Sequence, residues 1–194
     1  MKGYNKLRKE ALRTLNTRLP KELHYHGAAH TLNVLKVCNQ YIRREKIPRH
    51  SAKLLRIAAL LHDIGFTEVS REHETRSAEM AEEMMTRLGF TNKDVWIVKR
   101  LILSTKIPQS PNNFLEKVIC DADLDYLGRD DFKEISDKLY KELKVTSPNF
   151  TKEEWNRKQI EFLKSHTYHT AFARKNRQPK KEERIRELES IVNK

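Results

Sequence analysis

Glycine and proline are scarce in this chain of 194 residues, with five of the first and six of the second. They punctuate the sequence rather than pervade it, so the stretches between them can run as helices. The strict apolar–polar alternation of a half-buried strand is missing too, which argues against a sheet-built architecture. Cysteine is limited to Cys38 and Cys120, without CxxC spacing and each set among apolar neighbours (LKVCNQ and KVICDA). This pattern gives no disulfide framework and leaves two small buried thiols. No apolar run approaches membrane-spanning length, and the amino-terminal MKGYNKLRKEALRTL has no continuous apolar signal core. A soluble, cytoplasmic protein without a membrane partner is expected by elimination.

Charge, in contrast, is plentiful. Charged residues make up 34% of the chain and hydrophobic ones 38%. The apolar residues nevertheless cluster at helical spacing, so a folded chain is expected. Thirty-nine Lys and Arg against 27 Asp and Glu give a formal net charge of +12. Such an excess suits an anionic substrate or partner as well as a solvated basic surface. The cations are spread along the chain, densest from Arg174 to Arg186, and no single basic helix reads as a nucleic-acid arm. Nucleic acid is therefore not the favoured partner.

The 3.6-residue spacing predicts helices at 5–18, 29–45, 51–63, 72–88, 92–104, 113–127, 131–143, 151–165 and 180–192. Gly65, Gly89 and Gly128 each follow a helical pattern, where a left-handed cap residue is wanted. Ser51 and Thr151 stand where N-caps belong. The expected fold is all-α. Residues 1–24 would pack as a helix on the domain, 25–130 would form its core, and 131–194 a helical extension ending in a loosely packed charged tail. The length suits one such domain with an extension.

Three segments put ionisable groups on apolar stripes. In Leu60-Leu61-His62-Asp63-Ile64-Gly65, His62 continues the stripe of Leu54, Leu55, Ala58 and Leu61, and a carboxylate follows at once. Neighbouring residues can converge at such a helix end, because the backbone leaves helical geometry there. In Tyr25-His26-Gly27-Ala28-Ala29-His30, His30 opens a stripe through Val34, Val37, Cys38 and Tyr41. In Cys120-Asp121-Ala122-Asp123-Leu124-Asp125, Asp123 shares a stripe with Leu115, Ile119 and Tyr126, whereas Asp121 and Asp125 fall with Lys117 on the other side. A carboxylate on an apolar stripe is costly unless paired or metal-bound, so Asp123 is the preferred ligand and Asp121 the alternative. Two imidazoles and two carboxylates form a mixed N/O set. It suits Mn, Fe, Co, Ni, Zn or Mg with open water positions rather than a closed structural zinc site.

The order His30, His62-Asp63, Asp123, each on a helix, resembles the HD superfamily of metal-dependent phosphohydrolases. The resemblance spans roughly residues 25–130, and the whole chain looks like bacterial HD phosphohydrolases of this size. It implies a helical bundle, with a divalent metal on His30, His62, Asp63 and Asp123. Tyr25-His26…His30 also resembles the start of the cyclic-nucleotide phosphodiesterase signature. There the first histidine protonates the leaving oxygen, which would make His26 a general acid. Glu72-His73-Glu74 looks like the His-Glu element of deoxynucleotide triphosphohydrolases, so His73 and Glu74 join the candidate catalytic residues. Dinuclear relatives usually carry another histidine near Ser104-Thr105, and this chain has none there, so one tightly held metal is expected. Arg76, Lys106 and Arg129 are candidate phosphate contacts. His24, His50, His166 and His169 are assigned no role, His50 being read as a loop residue, and Met80, Met84 and Met85 are read as core.

The expected function is hydrolysis of a phosphoester or phosphoanhydride bond in a small phosphorylated substrate, a nucleotide being the favoured class. The alternatives are a di-iron HD oxygenase, with His73 completing a second metal site, and a non-catalytic ligand-sensing or RNA-associated module.

Overall fold

A computed structural model describes residues 2–193. Among them it contains ten α-helices, two short 3₁₀ turns and no strand. The helices are α1 (Lys2–Arg18), α2 (Ala28–Arg44), α3 (Arg49–Leu61), α4 (His73–Arg87), α5 (Asn92–Leu103), α6 (Phe114–Asp123), α7 (Phe132–Thr146), α8 (Lys152–Ser165), α9 (Ala171–Asn176) and α10 (Gln178–Val192). The 3₁₀ turns, Ile64–Thr67 and Asp125–Gly128, follow α3 and α6. The chain divides into two compact units, Met1–Asp123 and Leu124–Lys194.

In the first unit α3 is the central element, packed against α1, α2, α4, α5 and α6. Its sequence explains the position. From Leu54 to Leu61 only Arg56 escapes burial, so the helix needs neighbours on nearly every side. Each fully buried Leu or Ile there contributes about 1.5–3 kcal/mol. The other helices offer one stripe each. On α1 it is Leu7, Ala11 and Leu15; on α4 it is Ala78, Ala81 and Met85, flanked by Met80 and Met84. The methionines are core, as their spacing indicated, and Cys38 and Cys120 are buried free thiols.

The second unit contains the second 3₁₀ turn and α7–α10. α8 begins with a reciprocal capping box between Thr151 and Glu154. Trp155 Nε1 donates to Ser136 Oγ at 3.1 Å, which ties α8 to α7. α10 packs on α8, with Lys181 and Leu188 buried, so the charged tail is not loosely packed. Lys181 is accommodated because its ammonium donates to the His166 carbonyl.

Several local expectations are corrected. Ser51 lies inside α3, whose N-cap is Pro48, and His50 is helical, with Nε2 2.8 Å from Asp94 Oδ1. The helix expected over 113–127 breaks after Asp123, and α9 was not anticipated. Of the three expected left-handed glycines only Gly89 has a positive φ, +74°. Gly65 and Gly128 are required by close approach instead. A Cβ on Gly65 would lie 2.3 Å from the His73 carbonyl oxygen, and one on Gly128 2.3 Å from that of Arg177.

Candidate metal centre

The site is built entirely within the first unit, from the start of α2 and the ends of α3 and α6. His30 sits in the first turn of α2, behind the extended Gly27. His62 caps the C-terminus of α3, and Asp63 follows with φ −110° and ψ 8°. That departure from helical geometry lets adjacent side chains point at one spot. Asp123 is the last residue of α6.

The geometry is compact. His30 Nε2 lies 3.0 Å from Asp123 Oδ1, 3.4 Å from Asp63 Oδ2 and 3.2 Å from His62 Nε2. His62 Nε2 lies 3.2 Å from Asp63 Oδ2 and 3.3 Å from Asp123 Oδ1. Ligands held roughly 2.1 Å from one ion are spaced roughly 3.0 Å apart at right angles and roughly 3.4 Å apart at tetrahedral angles. These five separations fall in that interval. His30, His62 and Asp123 form the tightest group, all donors within 4.8 Å, and Asp63 adds its oxygen to the same two imidazoles.

The surroundings favour a cation. His62 Nδ1 is 3.1 Å from the Ala59 carbonyl oxygen, to which it can only donate, leaving Nε2 as the atom aimed into the cluster. Both carboxylates lie at helix C-termini, where exposed carbonyls already carry partial negative charge. Burial opposes charge on His62, but Asp63 and Asp123 outweigh it and hold its pKa well above the usual imidazole value. Burial likewise pushes Asp63 and Asp123 up, but the imidazoles dominate. Asp63 falls well below the carboxylate range and Asp123 to about 2.

His26 and His73 stand at the rim. Phe66 joins them, stacked on His26 at 4.2 Å and on His73 at 3.9 Å between ring centroids. His73 opens α4 after Glu72, whose φ is +55°. Its Nε2 is 3.5 Å from Asp63 Oδ1 and 3.5 Å from Glu74 Oε1, and Glu74 is buried. The ring of Tyr25 packs 4.6 Å from that of His30. Gly65 N donates to Ser77 Oγ at 2.8 Å and pins the turn after Asp63 against α4. Without that close approach Phe66 would not reach the two rings.

Phe66, Tyr25 and the Ala59 carbonyl were not anticipated as parts of the site. Phe66 follows the His-Asp-Ile-Gly run directly, and an aromatic after a glycine that closes a helix end was the available signal. The three candidate phosphate contacts are placed differently from one another. Arg76 is held by Glu68 at 2.6 Å, Glu79 at 3.0 Å and Glu83 at 3.3 Å. Lys106 pairs with the exposed Glu72. Arg129 belongs to the second unit, where it contacts Asp131 and Asp125.

Asp121 and Asp125 do not point to solvent. Both are buried, and the C-terminal part of α6 is enclosed almost all round. Periodicity therefore could not separate inward from outward carboxylates there.

No helix among the described residues is long and apolar enough to cross a membrane. No curated protein matches the chain at a significant level. The HD domain, a helical domain that binds divalent metals and occurs in metal-dependent phosphohydrolases, matches residues 27–126, just over half of the chain. That interval contains His30, His62, Asp63 and Asp123, and the chain belongs to the HD-domain family.

Proposed function

We propose that the protein hydrolyses a phosphoester or phosphoanhydride bond in a small anionic substrate, with a nucleotide as the expected class. The observation that carries this reading is the convergence of His30, His62 and Asp123, 3.0–3.3 Å apart, with Asp63 reaching both imidazoles and the His62 tautomer fixed by the Ala59 carbonyl. A divalent cation held by His30, His62, Asp63 and Asp123 would lower the pKa of a bound water and polarise a phosphoryl oxygen.

The remaining work falls to the chain itself. Phe66 orients His26 and His73 at the rim by stacking, and either imidazole, when protonated, can give its proton to the leaving oxygen. Glu74 sits beside His73, its Oε1 3.5 Å from the His73 Nε2. Lys106 is the cation best able to meet substrate phosphate, since a single exposed partner holds it weakly. Arg76 would have to abandon three carboxylates to do the same.

The test is metal analysis of the purified protein, then phosphate release over nucleotides and phosphoesters with and without chelator. About one equivalent of metal and chelator-sensitive release are expected. Full activity in metal-free protein would sink the proposal. A second reading draws on Asp63, whose Oδ2 faces His30 and His62 while Oδ1 faces His73. A carboxylate turned both ways could bridge two ions, as a di-iron oxygenase requires. Two equivalents of metal, one of them lost in His73→Ala, would favour it.

A further inference from the structure

The net charge of +12 has an uneven origin. Residues 1–56 contain fourteen Lys and Arg against three Asp and Glu, whereas residues 57–194 contain twenty-five against twenty-four. The excess therefore lies almost wholly in the segment that forms α1, α2 and the first half of α3. The cations themselves are spread along the chain; it is the carboxylates that are scarce before residue 57.

On α1 the cations are ordered by the helix. Leu7, Ala11 and Leu15 face the core, and Lys6, Lys9, Arg13 and Thr17 recur on the opposite, exposed face. With Arg18 and Arg87 they line a polar groove beside the end of α4. Arg87 is held there by Glu10. Lys6, Lys9, Arg13 and Arg18 make no ion pair among the described residues. Several cations later in the chain are paired instead: Lys99 with Glu82, Lys152 with Asp137 and Lys180 with Asp130.

We propose that this face of α1, together with Arg87, docks the phosphate backbone of double-stranded nucleic acid without regard to sequence. Lys, Arg and Thr are the side chains that contact phosphates. The groove offers no aromatic ring on which an unpaired base could stack, which favours a duplex over a single strand. A membrane surface fits less well, because an interfacial helix must insert its apolar face, and that of α1 is used in the core. The surface is distinct from the metal cluster and does not depend on the hydrolase reading.

The experiment measures binding of the full chain to a labelled 20-base-pair duplex of arbitrary sequence across a salt series. Four phosphate contacts predict a log–log salt slope of about −3.6. Lys6→Gln/Lys9→Gln/Arg13→Gln should weaken binding at least ~10-fold and make the slope shallower by about 2.7. A control of equal charge change on the exposed face of α7, Lys133→Gln/Lys141→Gln/Lys144→Gln, should stay within about twofold, because phosphate contacts rather than overall charge set the affinity. Asp123→Asn should bind as wild type, which separates this proposal from the metal site. Equal losses in both triple variants, or no binding of duplex by wild type, overturn the proposal. So does tighter binding of a single strand, or α1-dependent binding to anionic phospholipid vesicles in place of duplex.

Discussion

Asp123 and Asp125 lie two residues apart and are held by opposite kinds of neighbour. Asp123 meets the imidazole nitrogens of His30 and His62, with Asp63 beside them. Asp125 meets the Arg177 Nε at 2.7 Å and the Arg129 Nη1 at 3.4 Å. The first cluster consists of groups that can all give electron pairs to a cation. The second is neutralised by guanidinium groups that are always charged and cannot be exchanged for a metal. Burial of a carboxylate therefore says little about its task, and the sign of its neighbours says most. Asp125 secures the turn that Gly128 brings against Arg177, while Asp123 is available for chemistry.

The largest expected effect is Asp123→Asn. It should lower metal affinity by more than the ~10–100-fold typical of residues that only support a ligand, and activity should fall with it. Metal content and turnover of the folded variant check this. A variant that keeps wild-type metal would erase the contrast with Asp125. Asp121→Asn should do much less, because the cluster includes no atom of Asp121.

His26→Ala should leave metal content unchanged and slow hydrolysis of a nucleotide by ~10²–10⁴-fold. The loss should shrink on a nitrophenyl phosphoester, whose leaving group needs little protonation. Equal losses on the two substrates would mean that His26 positions the phosphate instead. If His73→Ala shows the leaving-group dependence, the acid role belongs to His73.

Asp125→Asn should cost stability and spare the metal. Removing one partner of a fully buried ion pair costs about 3–5 kcal/mol. Arg177 and Arg129 keep some water contact, so about 2–3 kcal/mol is expected here, read as a shift in denaturant midpoint. Loss of metal in this variant, with the fold intact, would merge the two clusters.

Cys120 sharpens the comparison from a third side, being buried on α6 with no charged partner of opposite sign. Burial pushes its thiol up to about 12, and Sγ donates to the Ser104 carbonyl oxygen at 3.0 Å. A raised pKa of this kind gives stability that is present below the unfolded thiol value, roughly pH 8.5, and lost as pH rises toward 12. Native protein at pH 8 should resist iodoacetamide at Cys120, whereas unfolded protein should react. Rapid alkylation of native Cys120 would contradict the burial.

The all-α architecture was legible because apolar spacing reports a helix face directly. His30 and His62 could be singled out because each continues an apolar stripe, where a polar group needs a reason; the stripe that turned Asp123 inward turned Asp121 and Asp125 outward, and both are buried. Phe66 could not, since stacking on His26 and His73 depends on how the turn after α3 meets α4. The roles of Arg76 and Arg129 were hidden for a related reason: a cation looks the same in sequence whether it faces solvent or three carboxylates.

The sequence by itself determined that the chain is all-helical, roughly where most of its helices run, and that His30 and His62 lie on buried faces. These follow from local periodicity and from the cost of burying a polar group. Tertiary structure decided the rest. It enclosed α6 on both sides, gave Asp125 to two arginines and Asp123 to two histidines, and made Gly65 and Gly128 necessary through contacts with residues far along the chain. Periodicity carries no information about the sign or identity of a neighbour from another helix, so only packing could separate the cluster that can bind a cation from the one that holds the fold.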